Sequence, residues 1–261
     1  MSAVLYEVDA RGVATVTLNR PAVGNAYDAA LLQGLIDVFA RLASDDGCRL
    51  AVLRGAGRHF QAGADLGWLR AVASGTADEN AAASRLTVDA VRHLNEFPRP
   101  TVALVHGACF GGGTGIAAAC DIVIAAEDAR FAVAEARWGL TAGPILPQLV
   151  AAMGSQAARR YALSAERFGA AEALATGLVH QVCPADGLDA AGAAMVETLL
   201  LNGPGAMRAC KDVLLDLGGL RVSDEAADAM AATHAARRQS AEAAEGLAAF
   251  AGKRPPSWQG A

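Results

Sequence analysis

From Pro100 to Cys120 no side chain carries a formal charge at pH 7 with His106 neutral. A stretch that long must either span a membrane or lie inside a folded core. The glycines decide between the two. Gly107, Gly111, Gly112, Gly113 and Gly115 interrupt the run, a β-branched start precedes them and Asp121 closes it, which is the pattern of a buried strand, a loop and a helix. The rest of the chain agrees, because 53% hydrophobic against 19% charged residues is too apolar for disorder, and 261 residues can enclose one large core. With 28 glycines and 5% aromatics, that core must rely on small side chains.

Along the chain, Val4, Tyr6 and Val8 alternate, Gly12 punctuates, and Val13, Thr15, Val16 and Leu18 give a second extended run. The two form a hairpin ending at Asn19-Arg20-Pro21. Asp28 caps a helix whose apolar positions Leu31, Leu32, Leu35, Ile36, Phe39 and Leu42 recur at helical spacing. A strand follows at Leu50 to Leu53, the segment around Leu69 to Asn80 reads as loops, and a helix runs from Ser84 to Phe97. Pro98-Arg99-Pro100 ends that helix and a β-branched strand occupies Thr101 to Val105. Ile116 to Cys120 reads as helix and Ile122 to Ala125 as strand, so the unit strand, loop, helix, strand repeats and predicts an α/β fold with parallel pairing. Past Pro184 the composition turns Ala-rich, with helices at Leu188 to Leu201, Ala206 to Leu217 and Ser223 to Phe250, the last broken near Ser240. The expected organisation is a core over 1–187 and a helical region over 188–261 that packs on its own core or on another subunit.

The net charge of -5, with no block of like charges, argues against a nucleic-acid partner. Cys48, Cys109, Cys120, Cys183 and Cys210 are odd in number and lack a C-x-x-C pair, so a reducing cytoplasm is expected and a thiolate metal site is not. Met1 to Asp9 lacks the basic start and apolar run of a secretory signal. His59, His93, His106, His180 and His234 are scattered without ligand spacing, and neither a nucleophile elbow nor a phosphate-binding G-x-x-x-x-G-K is present. Gly113-Thr114-Gly115 with Ala118 makes a loose G-x-G-x-x-A, a weak dinucleotide fingerprint with no acidic residue at the usual distance.

Two glycine-containing loops are more informative. Phe60 to Leu66 follows the strand at Leu50, and Phe110 to Gly113 follows the strand at Thr101. Each ends a strand and opens a helix, so each can aim an unpaired backbone N–H at a common point. Two such donors can hold the oxygen of an enolate developing from a thioester.

These loops, with Asn19-Arg20-Pro21, Asn25-Ala26, Val105-His106-Gly107, Cys120-Asp121-Ile122, Arg130-Phe131, Glu135, Gly139-Leu140, Ala170 to Leu174, Gly177-Leu178-Val179, Phe250 and Lys253-Arg254, are the features by which the chain resembles the enoyl-CoA hydratase/isomerase (crotonase) superfamily over nearly its whole length. The resemblance implies a spiral of stacked ββα units with a C-terminal helical trimerisation region, assembled as a homo-trimer or a dimer of trimers. It implies an acyl-CoA thioester substrate, no separate cofactor, and no metal. It places oxyanion donors at Ala64 and Gly112 and the coenzyme A groove along Ala22, Val23, Gly24, Ala62, Asp65 and Leu66. It has Phe250 and Lys253 of one subunit reach the nucleotide of the next.

One position departs from the family pattern. Where the common hydratases carry two glutamates, this chain has Gly115 and Glu135. Glu135, flanked by apolar Val133, Ala134 and Ala136, is expected to exchange a proton with substrate carbon, alone or with a water oriented by the backbone at Gly143. Gly115 is expected to leave room that a glutamate or a bulky acyl group could use. The run from Gly111 to Asp121 and Arg159 to Leu163 is similar to branched, methylglutaconyl-type hydratases, which favours hydration of a 2-enoyl thioester. A double-bond isomerase with Glu135 as sole proton shuttle, and a coenzyme A-binding relative without turnover, are the alternatives.

Overall fold

The computed structural model describes residues 2–260, so Met1 and Ala261 of the stretches above lie outside it. Its strands are β1 (Val4–Val8), β2 (Val13–Leu18), β3 (Leu50–Gly55), β4 (Thr101–Val105), β5 (Ala108–Phe110), β6 (Ile122–Ala126), β7 (Arg130–Ala132), β8 (Arg167–Gly169) and β9 (Gln181–Cys183). Its helices are α1 (Ala29–Ser44), α2 (Leu66–Ala73), α3 (Ala77–Asn95), α4 (Gly112–Ala118), α5 (Leu146–Ser164), α6 (Ala170–Thr176), α7 (Leu188–Leu200), α8 (Pro204–Leu217), α9 (Asp224–Arg238) and α10 (Ala241–Ala251).

Six strands form one sheet in the order β1-β2-β3-β4-β6-β9, antiparallel only between β1 and β2, and β5-β7-β8 form a smaller sheet. The chain repeatedly leaves the large sheet, touches the small one, and enters a helix. β4 leads to β5 and α4, β6 leads to β7, and after β3 the residue Gln61 bridges to Cys109 of β5 before α2 begins. This is the spiral of ββα units.

Parallel strands are apolar on both faces because both are covered. One face carries Val16, Leu18, Leu53, Ala103, Val105 and Val123 against α1, α3 and α4. The other carries Val52, Val102, Leu104 and Ile124 against Leu188 and Val196 of α7. The change of composition past Pro184 thus marks helices of which the first covers the sheet. Leu163, Leu201, Val213, Leu214 and Leu217 are exposed apolar side chains, the last three on α8.

Asp28 caps α1, accepting from the Leu31 N–H at 2.9 Å, as its position predicts. The alternation of β1 does not mark an inward face: Val4 is buried, but Tyr6 and Val8 are exposed, because β1 is the edge of the sheet. The expected loops around Leu69 to Asn80 are corrected to α2 and the start of α3, where Thr76 and Glu79 form a capping box. The expected break near Ser240 separates α9 from α10, with Ser240 capping the second.

An ion pair between buried Lys211 and partly exposed Asp121 explains the Cys120-Asp121-Ile122 motif. Asp121 Oδ2 accepts from the Thr101 N–H at 2.8 Å, the Thr101 hydroxyl at 2.9 Å and Lys211 Nζ at 2.7 Å, tying β4, β6 and α8 together. No helix among the described residues is long and apolar enough to cross a membrane.

Candidate active site

Glu135 is delivered to its place by strand pairing. Phe110 of β5 lies opposite Ala132 of β7, and the Gly111 N–H donates to the Ala132 carbonyl at 2.7 Å, so the turn after β5 and the segment after β7 leave the small sheet side by side. Glu135 then opens a 3-10 turn, Glu135–Trp138. Gly111 has φ 53°, a conformation that favours glycine, and a Cβ there would lie 2.8 Å from Glu135 Oε1 and push the carboxyl aside.

The second loop is held by side chains. Asn25, fully buried, donates from Nδ2 to the carbonyls of Ala56 at 2.9 Å and His59 at 2.8 Å, and its Oδ1 accepts from the Arg20 N–H at 2.8 Å. Gln61, also fully buried, accepts from the Gly63 N–H at 2.8 Å and donates to the Gly63 carbonyl at 3.1 Å. Tyr27 and Ala64 then form a parallel bridge in which the Tyr27 N–H donates to Gly63 and the Asp65 N–H donates to Tyr27. In that pairing the N–H of Ala64 points away from Tyr27. Among the described residues neither it nor the N–H of Gly112, the first residue of α4, donates to a protein acceptor.

Ala64, Gly111 and Glu135 line one cavity of about 360 Å³, together with Tyr27, Ala62 and Phe110. Arg137, Trp138, Arg167, Leu247 and Phe250 also line it. Glu135 is the single carboxylate among these lining residues. Its Oε2 is buried without a hydrogen-bond partner, and burial pushes its pKa up to about 7. Tyr27 packs edge-on against Trp68 with ring centroids 5.7 Å apart, and burial and then the Glu135 charge hold its phenol protonated far above the usual range.

The groove residues fall into two groups. Gly24 and Ala62 meet, the Ala62 N–H donating to the Gly24 carbonyl at 2.9 Å, with Ala22 and Val23 exposed beside them on the 3-10 turn Pro21–Val23. Asp65 serves the fold, accepting from the Trp68 N–H at 3.0 Å as the cap of α2 and pairing with Arg20 at 3.3 Å, while Leu66 begins the helix.

Gly143 lines a different concavity, with Leu146, Pro147 and Leu220, and is not among the residues that line the cavity of Glu135. Gly115 leaves no room, because a Cβ there would lie 2.1 Å from Ile145 Cγ2. Phe250 borders the cavity of its own chain, tilted against Trp138 with centroids 4.6 Å apart, because α10 folds back over the turn that carries Glu135, and Lys253 stands exposed beyond it. Four of the histidines meet the backbone: His59 and His180 accept from the N–H groups of Ala108 and Val123, and His93 and His106 meet backbone carbonyls.

Tyr27, Arg137 and Arg167 were missed by the sequence reading. For Tyr27 the signal was its place directly after the Asn25-Ala26 motif. Nothing local marked the arginines. Among the described residues no group of His, Cys, Asp and Glu is arranged to hold a metal ion.

Residues 9–261 match the profile of the family described as enoyl-CoA hydratase/isomerase. The chain is 33% identical over 260 residues to 2,3-dehydroadipyl-CoA hydratase of Escherichia coli, covering 95% of each. It is 29% identical over 262 residues to the mitochondrial Delta(3,5)-Delta(2,4)-dienoyl-CoA isomerase of Dictyostelium discoideum, covering 97% of this chain and 89% of that one. Among solved structures it is similar to an enoyl-CoA hydratase from Shewanella pealeana, with 36% identity, a TM-score of 0.80, and coverage of 98% and 96%.

Proposed function

The chain belongs to the enoyl-CoA hydratase/isomerase family, and from that membership we propose that it is a hydratase adding water across the C2–C3 double bond of a 2-enoyl-CoA. The observation that carries this reading is Glu135, a carboxyl without a partner at Oε2 and with a pKa near 7, on a cavity that Ala64 also lines with a backbone N–H that has no protein acceptor. At neutral pH both of its protonation states are populated, so one group can serve as base and acid in turn.

The Glu135 carboxylate takes a proton from water, whose oxygen bonds to C3. The C2–C3 π electrons pass to the thioester oxygen as an enolate, held by the N–H groups of Ala64 and Gly112. Glu135 then returns the proton to C2, and atoms and charge balance with no second carboxylate. Arg137 and Arg167, which line the cavity, would meet the coenzyme A phosphates, with Lys253 of a neighbouring subunit as a further cation. The groove past Ala22, Val23, Gly24 and Ala62 takes the coenzyme. The exposed apolar residues of α8 are the surface on which a homo-trimer, or a dimer of trimers, would form.

The single carboxylate on the cavity wall also favours a second reading, a double-bond isomerase in which Glu135 moves a proton between carbons. A turnover screen with straight 2-enoyl, branched 2-enoyl and 3-enoyl thioesters, following hydration and double-bond migration separately, decides. Hydration of a 2-enoyl thioester is the expected result, and migration without hydration would replace the first reading by the second.

A further inference from the structure

Arg238, the last residue of α9, is 1% exposed, and among the described residues no carboxylate pairs with it. Its partners are neutral: Nη1 donates to Asn80 Oδ1 at 2.9 Å and Nη2 donates to His234 Nδ1 at 3.1 Å. The His234 ring is kept uncharged by burial and then by the arginine itself, its pKa pushed down to about 3. Arg238 Nε is buried with no partner at all, and the guanidinium carbon stands 5.9 Å from the centre of the Trp68 ring. The other deeply buried cation of this chain, Lys211, has its acid in Asp121. A buried charge left without a counter-charge is expensive, and the carbonyl end of α9 offsets only part of that.

The position of Arg238 relative to Glu135 gives this charge a use. Arg238 lines a second cavity of about 230 Å³ with Arg70, Ser74, Ser240 and Leu247. Leu247 also lines the cavity of Glu135, and Leu69, the neighbour of Arg70, lines it too. The two cavities therefore share Leu247, and Leu69 of the first adjoins Arg70 of the second in the chain. Tyr27, on the wall of the first, feels the charges of both Glu135 and Arg238. One turn along α3 from Asn80, the Ser84 hydroxyl is buried and unpartnered as well.

We propose that Arg238 receives a carboxylate at the far end of the acyl chain, so that the substrate is a carboxyl-ended enoyl thioester whose chain runs from Glu135 between Leu69 and Leu247. This rests on the coenzyme A thioester reading above. A carboxylate accepts two parallel N–H bonds from a guanidinium, which would engage the free Nε and neutralise the charge in place. A methyl end would leave the arginine unpaired and add apolar carbon beside it.

The test is a binding comparison by calorimetry that needs no turnover. Succinyl-, glutaryl- and adipoyl-CoA are measured against butyryl-, valeryl- and hexanoyl-CoA. The carboxyl-ended thioester of the best length should bind roughly 10- to 100-fold tighter than its methyl-ended counterpart. Arg238→Leu should erase or reverse that ratio and Arg238→Lys should retain part of it, each variant first checked for a native melting transition. Equal or tighter binding of the methyl-ended thioester at every length overturns the assignment, as does an Arg238→Leu variant that weakens both series alike, the mark of a merely structural arginine. If that variant does not fold, the wild-type ratio decides alone. Binding of neither series overturns the coenzyme A reading and this proposal with it, whereas binding of both without preference overturns this proposal only.

Discussion

Ile145 occupies the space that a side chain at position 115 would need. A Cβ on Gly115 would lie 2.1 Å from Ile145 Cγ2 and 2.4 Å from Ile145 Cβ, both residues being buried. The glycine is where α4 and the turn Gly143–Ile145 close on one another, so the position of the family's second glutamate is filled by packing rather than left open to water or substrate.

Gly115→Ala should therefore destabilise by about 1–3 kcal/mol, the range for overpacking a core, and Gly115→Glu should fail to give a native melting transition. Combining Gly115→Ala with Ile145→Ala should cost less than the sum of the two single losses, because Cγ2 is removed while the contact with Cβ remains. Thermal denaturation of these variants and of Ile145→Ala alone checks this. A stable, active Gly115→Glu enzyme would contradict it.

Glu135→Gln should lower kcat roughly 10²-fold or more with folding intact, since size is kept and proton exchange is lost. In the wild type, kcat/KM for hydration should rise with pH through about 7, as the buried carboxyl ionises. Stability moves the other way. The folded carboxyl keeps its proton to about 7 while the unfolded chain releases its own near 4.5, so this group's contribution is lost as pH rises between those values. Above pH 7 the glutamine variant should be the more stable by on the order of 3 kcal/mol, and below 4.5 the two should be nearly equal, as urea titrations at several pH values would show.

Ala64→Pro deletes the N–H assigned to the thioester oxygen and Ala64→Ser keeps it. The proline variant should lose about 3 kcal/mol of transition-state stabilisation, read as roughly a hundredfold drop in kcat, while the serine variant loses far less. Both must first show a native circular dichroism spectrum. Equal rates in two well-folded variants would remove Ala64 from the mechanism.

Asp121→Asn leaves Lys211 buried beside a neutral partner and should cost about 1–3 kcal/mol, less than for a fully buried pair because Asp121 is itself partly exposed. Lys211→Met should cost less, because Asp121 is the more exposed member and keeps both bonds from Thr101. Denaturant midpoints of the two single variants, and of the double variant, separate the pair from its parts.

What depends on neighbours in sequence is legible in the chain alone. The uncharged run from Pro100 to Cys120 could only be buried, Asp28 could only begin a helix, and the glycine loops at Ala64 and Gly112 were recognisable together with Glu135. Thr76 and Glu79 were equally readable as a capping box, and reading them would have turned the supposed loops into α3. The strands β5, β7 and β8, each of three residues, were not readable, since alternation needs more length than that. Nor were the relations that decide the site. Ile145 against Gly115, Phe250 over its own cavity, and Arg238 with Asn80 join residues far apart in the chain. Periodicity and capping record forces acting within a few residues, whereas close packing and the pairing of buried charge arise only where separate elements meet, and the tertiary structure alone decides which those are.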